Sequence, residues 1–258
     1  MRQLIIKLYK IKIFKRIIPS LLKIITNINK RKNITILHND FMLNLNLNNP
    51  IDREIYLKDT YENDCIEQLK KIIKNEKILF FIDVGAHIGF YSLNIAQEEK
   101  INVFSFEPVI NNFKQLEMNI KINKCKNIKT FNTALSYEIA EETMWVTDEK
   151  KTGGYSIYKK NDVELKKYKG KKIYSIKVKT NKGDNLIKIQ DNKIAIKIDV
   201  ERSEKFVIEG FSNLLKKNKI YMQIEIFDQL KEDIHKVLQE YNFKFINKIG
   251  KDYYYKNY

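Results

Sequence analysis

The sequence predicts an α/β domain built on a mostly parallel sheet, and three observations predict it. From residue 61 onward, apolar strand-like runs alternate with amphipathic helical ones, as repeated βα units do. Two of the runs, Lys77–Val84 (KILFFIDV) and Lys193–Val200 (KIAIKIDV), are nearly continuous in apolar residues, which a strand covered on both faces requires. The 258 residues are 43% hydrophobic and 12% aromatic, enough to fill one large core, and only eight glycines and three prolines argue against a repeat-built or loop-rich chain.

Each element follows in order. Residues 2–28 predict one or two amphipathic helices broken near Pro19, because Ile6, Ile13, Ile17, Leu21 and Ile24 recur at helical spacing. Residues 33–47 alternate around polar His38-Asn39-Asp40 and predict a hairpin. Tyr61–Lys74 is helical, Lys77–Val84 the first core strand and Ile88–Gln97 a helix. Asn102–Phe106, Ile110–Ile122 and Asn127–Asn132 continue as strand, helix, strand. Residues 142–180 form a hairpin-like insertion, with Gly153-Gly154 as a turn and Lys171–Lys179 alternating. Lys193–Val200 is the fourth core strand, Ser203–Leu215 a helix, Ile220–Ile226 the fifth strand and Lys231–Tyr241 a helix. Phe243–Ile249 and Tyr253–Tyr255 close the chain as an antiparallel pair at a sheet edge. The expected division is a basic helical segment (1–32) ahead of one catalytic-type domain (33–258), whose first part (33–60) holds the small hairpin.

Charge is uneven. The net charge is +16, but residues 1–32 hold ten basic residues and no acidic one, so the remainder carries only +6. A body of mixed sign at +6 is not a nucleic-acid-binding body by charge alone. The basic, apolar-rich start points instead to contact with a membrane surface, or to packing on the domain itself. No run of about 18 apolar residues exists to span a bilayer, and lysines interrupt the apolar stretches that a signal peptide needs. Cys65 and Cys125 stand 60 residues apart in no metal or redox motif and are expected as free buried thiols, which suits a cytoplasmic protein. His38 and His235 are expected at the surface.

The chemistry concentrates at strand ends. Asp83-Val84-Gly85-Ala86-His87-Ile88-Gly89 joins the first core strand to a helix, where glycines allow a tight turn and a close backbone approach to a nucleotide-type cofactor. The pattern is neither Gly-x-Gly-x-x-Gly nor a phosphate loop, so a cofactor without phosphate is favoured, and S-adenosylmethionine is one. Glu107, 18 residues beyond Gly89, ends the second strand, where a carboxylate can accept both hydrogen bonds of a ribose diol.

These stretches resemble the FkbM family of methyltransferases. The resemblance runs through YENDCIEQLKKII, FIDVGAHIGFYSLNIA, FSFEPVINNFKQLEMNIKIN, FNTALS, IKIDVERSEKFVIEGF and IYMQIEIF, in family order over about residues 42–246. It implies a Rossmann-like class I methyltransferase fold with a seven-stranded sheet, S-adenosyl-L-methionine as methyl donor, and O-methylation of a saccharide, a surface-glycan precursor or a small molecule. It also implies that Asp83, Gly85, Ala86 and Gly89 shape the methionine side of the site, that Glu107 holds the ribose, and that Asn132 and Ala134 lie beside the adenine. His87 stands where family members often carry Asn, so a backbone or ligand hydrogen bond is expected of it. One position departs from the pattern: the family usually has Gly-Ala after Asp-Val-Glu, and this chain has Arg202-Ser203. Either the turn differs, or Arg202 contacts a substrate, or activity is reduced.

Methyl transfer to oxygen is an in-line displacement that needs alignment of the acceptor and removal of its hydroxyl proton. Asp199 is the first candidate for that base, followed by Glu201 and then Glu225, with Lys197 sharing their direction along the fourth strand. Asp199, Glu201 and Glu225 are also the residue types that would hold a divalent cation. The enzymatic alternative is methyl transfer to nitrogen or carbon, or to a small-molecule hydroxyl outside glycan assembly; a non-catalytic binding or scaffold protein on the same fold is the reading from another class.

Overall fold

The computed structural model describes residues 2–28 (backbone alone for 26–28), 33–58, 60–98, 100–146, 153–157 and 173–258. Helices α1 (Arg2–Tyr9) and α2 (Phe14–Ile28) come first. The break between them lies at residues 10–13 rather than at Pro19, which sits inside α2 and costs it one backbone hydrogen bond without ending it. Strands β1 (Asn33–His38) and β2 (Phe41–Asn46) form the expected hairpin, turning at Asn39, whose φ is +49°. Within it His38 is buried, packed edge-on against Phe90, so the surface placement expected for it is wrong.

Helix α3 (Pro50–Leu57) has no counterpart among the elements that the periodicity predicts. Asn49 caps it by accepting from the Ile51 amide at 3.0 Å, and Pro50 opens its first turn. The buried Asp52 pins it in place, accepting from the β2 amide of Asn46 and the amide of Gln115, both at 2.6 Å. Helix α4 (Asn63–Glu76) then leads into the central sheet.

Strand β3 (Phe80–Val84), helix α5 (Phe90–Ile95), strand β4 (Asn102–Phe106), helix α6 (Ile110–Ile122) and strand β5 (Ile128–Phe131) make the first βαβαβ half. Strands β6 (Ala134–Leu135), β7 (Glu141–Val146) and β8 (Tyr174–Asn181) form a small separate sheet. The insertion is thus a hairpin, as the alternation predicts, with Gly153-Gly154 inside a bridge between Trp145 and Ser156. Residues 147–152 and 158–172, including the start of the predicted alternating run, lie outside the described residues. Strand β9 (Lys193–Ile198), helices α8 (Glu204–Gly210) and α9 (Ser212–Lys217), strand β10 (Lys219–Glu225), helix α10 (Lys231–Glu240) and strands β11 (Lys244–Ile249) and β12 (Asp252–Lys256) complete the fold, after a single turn of helix, α7 (Gly183–Leu186).

The seven-stranded sheet runs β11-β12-β10-β9-β3-β4-β5. Every pairing among β10, β9, β3, β4 and β5 is parallel. The closing pair does not simply extend the edge. Strand β12 inserts antiparallel between β10 and β11, so β11 runs parallel to the rest and β12 alone is reversed. One apolar layer, with α4, α5 and the β1–β2 hairpin, covers one sheet face; another, with α8, α9 and α10, covers the other. The order reverses at β3, whose neighbours are β9 on one side and β4 on the other. Open parallel sheets place their ligands at such a switch point, outside the carboxyl ends of the strands.

Candidate active site

A cavity of 260 Å³ opens there, lined by the ends of β3, β4, β9 and β10, by α3, and by residues 153–157 of the insertion. Its floor is the turn after β3. Gly85 and Ala86 both donate their amides to the carbonyl of Phe106 (3.0 and 2.9 Å), which folds the chain sharply toward β4. Gly85 has φ +84°, and a Cβ there would stand 1.9 Å from the carbonyl oxygen of Asp199. Only glycine lets the β3 turn and the β9 end approach this closely. His87 is likewise left-handed (φ +51°), a conformation that Asn and His adopt more readily than most residues. Burial is the main cause of a His87 pKa lowered to about 4, so the imidazole is neutral.

Glu107 closes the second side. It is buried, and its two carboxylate oxygens accept from the backbone amides of His87 (2.9 Å) and Val109 (2.8 Å). Burial outweighs those bonds and pushes its pKa up to about 7.

The third side is a network of charges around one cation. Lys197 lies on β9 in register with Asp83 of β3 and Gln223 of β10. Its ammonium is buried, 3.1 Å from Asp199 Oδ2 and 4.5 Å above the Tyr91 ring. Burial opposes its charge, but Asp199, Asp83, Glu62 and Asp252 together raise the Lys197 pKa above the ordinary range, so it stays protonated. Burial likewise opposes the Asp199 charge, yet Lys197 and a hydrogen bond from Glu225 outweigh it and hold Asp199 below its usual value. Burial and the nearby Asp199 charge push Glu225 up to about 8. At neutral pH the pair therefore keeps one proton, with Glu225 donating to an ionised Asp199. Deeper in, Asp83 accepts from the Ser92 hydroxyl at 2.6 Å, while its other oxygen has no partner among the described residues.

Asp83, Gly85, Ala86, His87, Glu107, Ala134, Lys197, Asp199, Glu201 and Glu225 thus line one cavity. Gly89 and Asn132 do not. Gly89 (φ +85°) caps α5, and a Cβ on it would meet Leu116 of α6 at 2.4 Å, so it serves helix packing. Asn132 is exposed and turns back to donate to the carbonyls of Glu107 (2.8 Å) and Pro108 (3.1 Å). Strand periodicity is not what gathers the carboxylates: β9 ends at Ile198, and Asp199 and Glu201 lie beyond it. Ligand oxygens of Asp199, Glu201 and Glu225 nevertheless fall within 4.8 Å of one another. Ile51, Ile55, Tyr61, Glu62 and Tyr155 also wall the cavity, and no cofactor or catalytic motif in the sequence marks them as site residues. Tyr61 and Glu62 begin the YENDC stretch that carried the resemblance, so a signal for them was present.

The family model for the methyltransferase FkbM domain matches residues 83–245, more than half of the chain. The chain belongs to the FkbM methyltransferase family. Its activity class is S-adenosylmethionine-dependent methyl transfer. No curated protein matches it. Among solved structures, it is similar to M. jannaschii TYW2 in complex with AdoMet, at 12% identity and a TM-score of 0.46, over 87% of this chain and 84% of that one. It is similar to P. horikoshii TYW2 in complex with MeSAdo at 14% identity and 0.45, over 87% and 69%. It is similar to the precorrin-6y C5,15-methyltransferase of Geobacter metallireducens at 10% and 0.39, over 69% and 79%.

The FkbM site fits its cofactor on several counts. Glu107 presents a carboxylate at a strand end, the turn brings bare backbone to the cavity floor, and carboxylates outnumber Lys197 on the lining, which suits a cationic ligand. The Arg202 departure also has a physical reading. Arg202 adopts the left-handed conformation that glycine favours, at φ +80° and directly after Glu201 at +52°, so the turn carries a side chain where glycine would be unstrained. The guanidinium stacks 5.1 Å over Phe227. Arg202→Ala loses that stacking and keeps the backbone strain, whereas Arg202→Gly loses the stacking and relieves the strain. The Gly variant is therefore expected to be about 1 kcal/mol more stable than the Ala variant in denaturant unfolding. Equal stability of the two would show that the turn carries no strain.

Proposed function

We propose that the chain methylates a hydroxyl group of a saccharide, such as a surface-glycan precursor. The observation that carries the proposal is the Lys197–Asp199–Glu225 array in the cavity lining. Asp199 is held ionised and is 36% exposed, so it would accept the hydrogen bond of an incoming hydroxyl and take its proton onto Oδ as that oxygen bonds to the methyl carbon and the methyl–sulfur bond breaks. Lys197 fixes the carboxylate from below. Glu201 and Glu225 lie close enough to accept from a neighbouring hydroxyl, which suits a polyol better than a lone amine. Glu107 and the Asp83–Gly85–Ala86–His87 turn would hold the cofactor, which would supply an electrophilic methyl group. Residues 153–157 reach across: Ser156 donates to the carbonyl of Glu201, and Gly153 and Tyr155 help wall the cavity from water. The two free cysteines support a cytoplasmic setting.

The test is transfer of labelled methyl from S-adenosylmethionine to a panel of nucleotide sugars, catechols and primary amines, with the product bond assigned by NMR. A methyl ether on a sugar is the expected result. Methyl on nitrogen, or on a catechol alone, would overturn the acceptor assignment. The same three carboxylates support a second reading, in which a divalent cation at Asp199, Glu201 and Glu225 lowers the acceptor's pKa. Loss of activity with chelator and its return with magnesium would favour that version.

A further inference from the structure

We propose that α1 and α2 dock the protein on an anionic lipid surface. Packing on the domain accounts for only one side of these helices. Ile6 and Ile18 are buried, and Phe14 and Leu22 pack partly against the core. A second apolar face remains uncovered. Ile13, Ile17, Leu21, Ile24 and Ile25 are 42–64% exposed, and Leu4 on α1 is as open. On α2 the positions 17, 21, 24 and 25 repeat at three and four residues, which places them within about 100° of arc. Lys15, Arg16 and Lys23 are exposed on the polar arc of α2 and Lys12 just ahead of it, and the first acidic residue is Asp40. A helix with an open apolar stripe and a polar arc whose charges are all cationic is what the headgroup boundary of an anionic membrane accommodates. No helix among the described residues is long and apolar enough to cross a membrane, so the contact lies in the interface plane.

The charge decides among occupants. A second copy packed about a two-fold axis would bring the same lysines against one another. A nucleic acid would meet the cations and leave the isoleucines in water. Lipid satisfies both. The segment is not a loose tail, because Arg2 donates to the carbonyls of Tyr56 (3.0 Å), Ile55 and Leu37 (both 3.4 Å), locking α1 onto α3 and the hairpin. Ile51 and Ile55 of α3 line the cavity. Docking would thus set one wall of the site next to the lipid layer, where a lipid-carried acceptor is presented.

The experiment is co-sedimentation of the full chain with vesicles of phosphatidylglycerol and phosphatidylcholine, and of phosphatidylcholine alone. Binding is expected on the anionic vesicles and should weaken with salt. Ile17→Ser/Leu21→Ser/Ile24→Ser should lower the partition coefficient about 100-fold. Lys12→Gln/Lys15→Gln/Arg16→Gln should lower it about five-fold per residue on anionic vesicles and leave neutral ones unaffected. Circular dichroism checks that each variant is folded. If the serine variant is not, the glutamine variant, which alters exposed side chains only, decides the matter. No binding by the parent chain, or both variants partitioning as the parent does, overturns the proposal. So does self-association that the serine variant abolishes without any vesicle binding, or retention on RNA in place of vesicles.

Discussion

Asp199→Asn is expected to lower turnover by roughly 10²–10⁴-fold while leaving S-adenosylmethionine binding within a few-fold of the parent. The asparagine keeps the shape and can still accept a hydrogen bond from Lys197, but it cannot take a proton. The variant should also remain folded. Lys197 keeps its buried charge compensated by Asp83, Glu62 and Asp252, so no isolated cation is left behind. The second carboxylate sharpens the test. Glu225 is neutral in the parent because the Asp199 charge and burial hold its proton, with a pKa of about 8. Removing the Asp199 charge should let Glu225 ionise at lower pH, and residual activity of the variant should rise over that lower range. Calorimetry with cofactor and initial rates against pH read the two effects separately. Full turnover in Asp199→Asn would remove the residue from the chemistry, and loss of cofactor binding would reassign it to the cofactor side.

Much of this arrangement could be read from the sequence because it depends on local patterns. The buried runs KILFFIDV and KIAIKIDV mark the two strands at the centre of the sheet, and the residues that follow them are the ones that meet in the cavity. What could not be read is how distant segments converge. Helix α3 carried local signals, with Asn49 as cap and Pro50 at its first turn, yet PIDREIYL is too short and mixed to stand out by periodicity. Its role as a cavity wall comes from Asp52 reaching Asn46 and Gln115, contacts that no local pattern encodes. The family pattern assigned Gly89 and Asn132 to the ligand, but their contacts to Leu116 and to the carbonyls of Glu107 and Pro108 are structural. The need for glycine at position 85 has a cause invisible in one dimension: the carbonyl of Asp199, more than a hundred residues away, occupies the space a side chain would need.

Glu107→Ala should weaken S-adenosylmethionine by about 1.5–3 kcal/mol, or roughly 10–150-fold, because it removes a charged acceptor for two hydrogen bonds. Its pH dependence separates this role from a merely structural one. Burial raises the Glu107 pKa to about 7, so below that pH the free protein holds a proton that must leave before both oxygens can accept from a ribose diol. Cofactor affinity of the parent should therefore rise between pH 6 and 8 and then level off, while Glu107→Gln should bind weakly with a flat profile. The free protein should show the opposite trend in stability. A carboxyl whose folded pKa is raised favours the fold while it stays protonated, and that advantage is lost as pH climbs from the unfolded value through the folded one. Glu107 and Glu204, both near 7, and Glu225, near 8, all act in this direction. His87, lowered to about 4, acts the other way but only below its unfolded value of 6.5. Between pH 6.5 and 8 the carboxyls are thus unopposed by His87. The melting temperature of the free protein should fall across that window, and saturating cofactor should reduce the fall. A parent profile of affinity that is flat from pH 6 to 8, matching Glu107→Gln, would mean that this carboxylate does not hold the ribose.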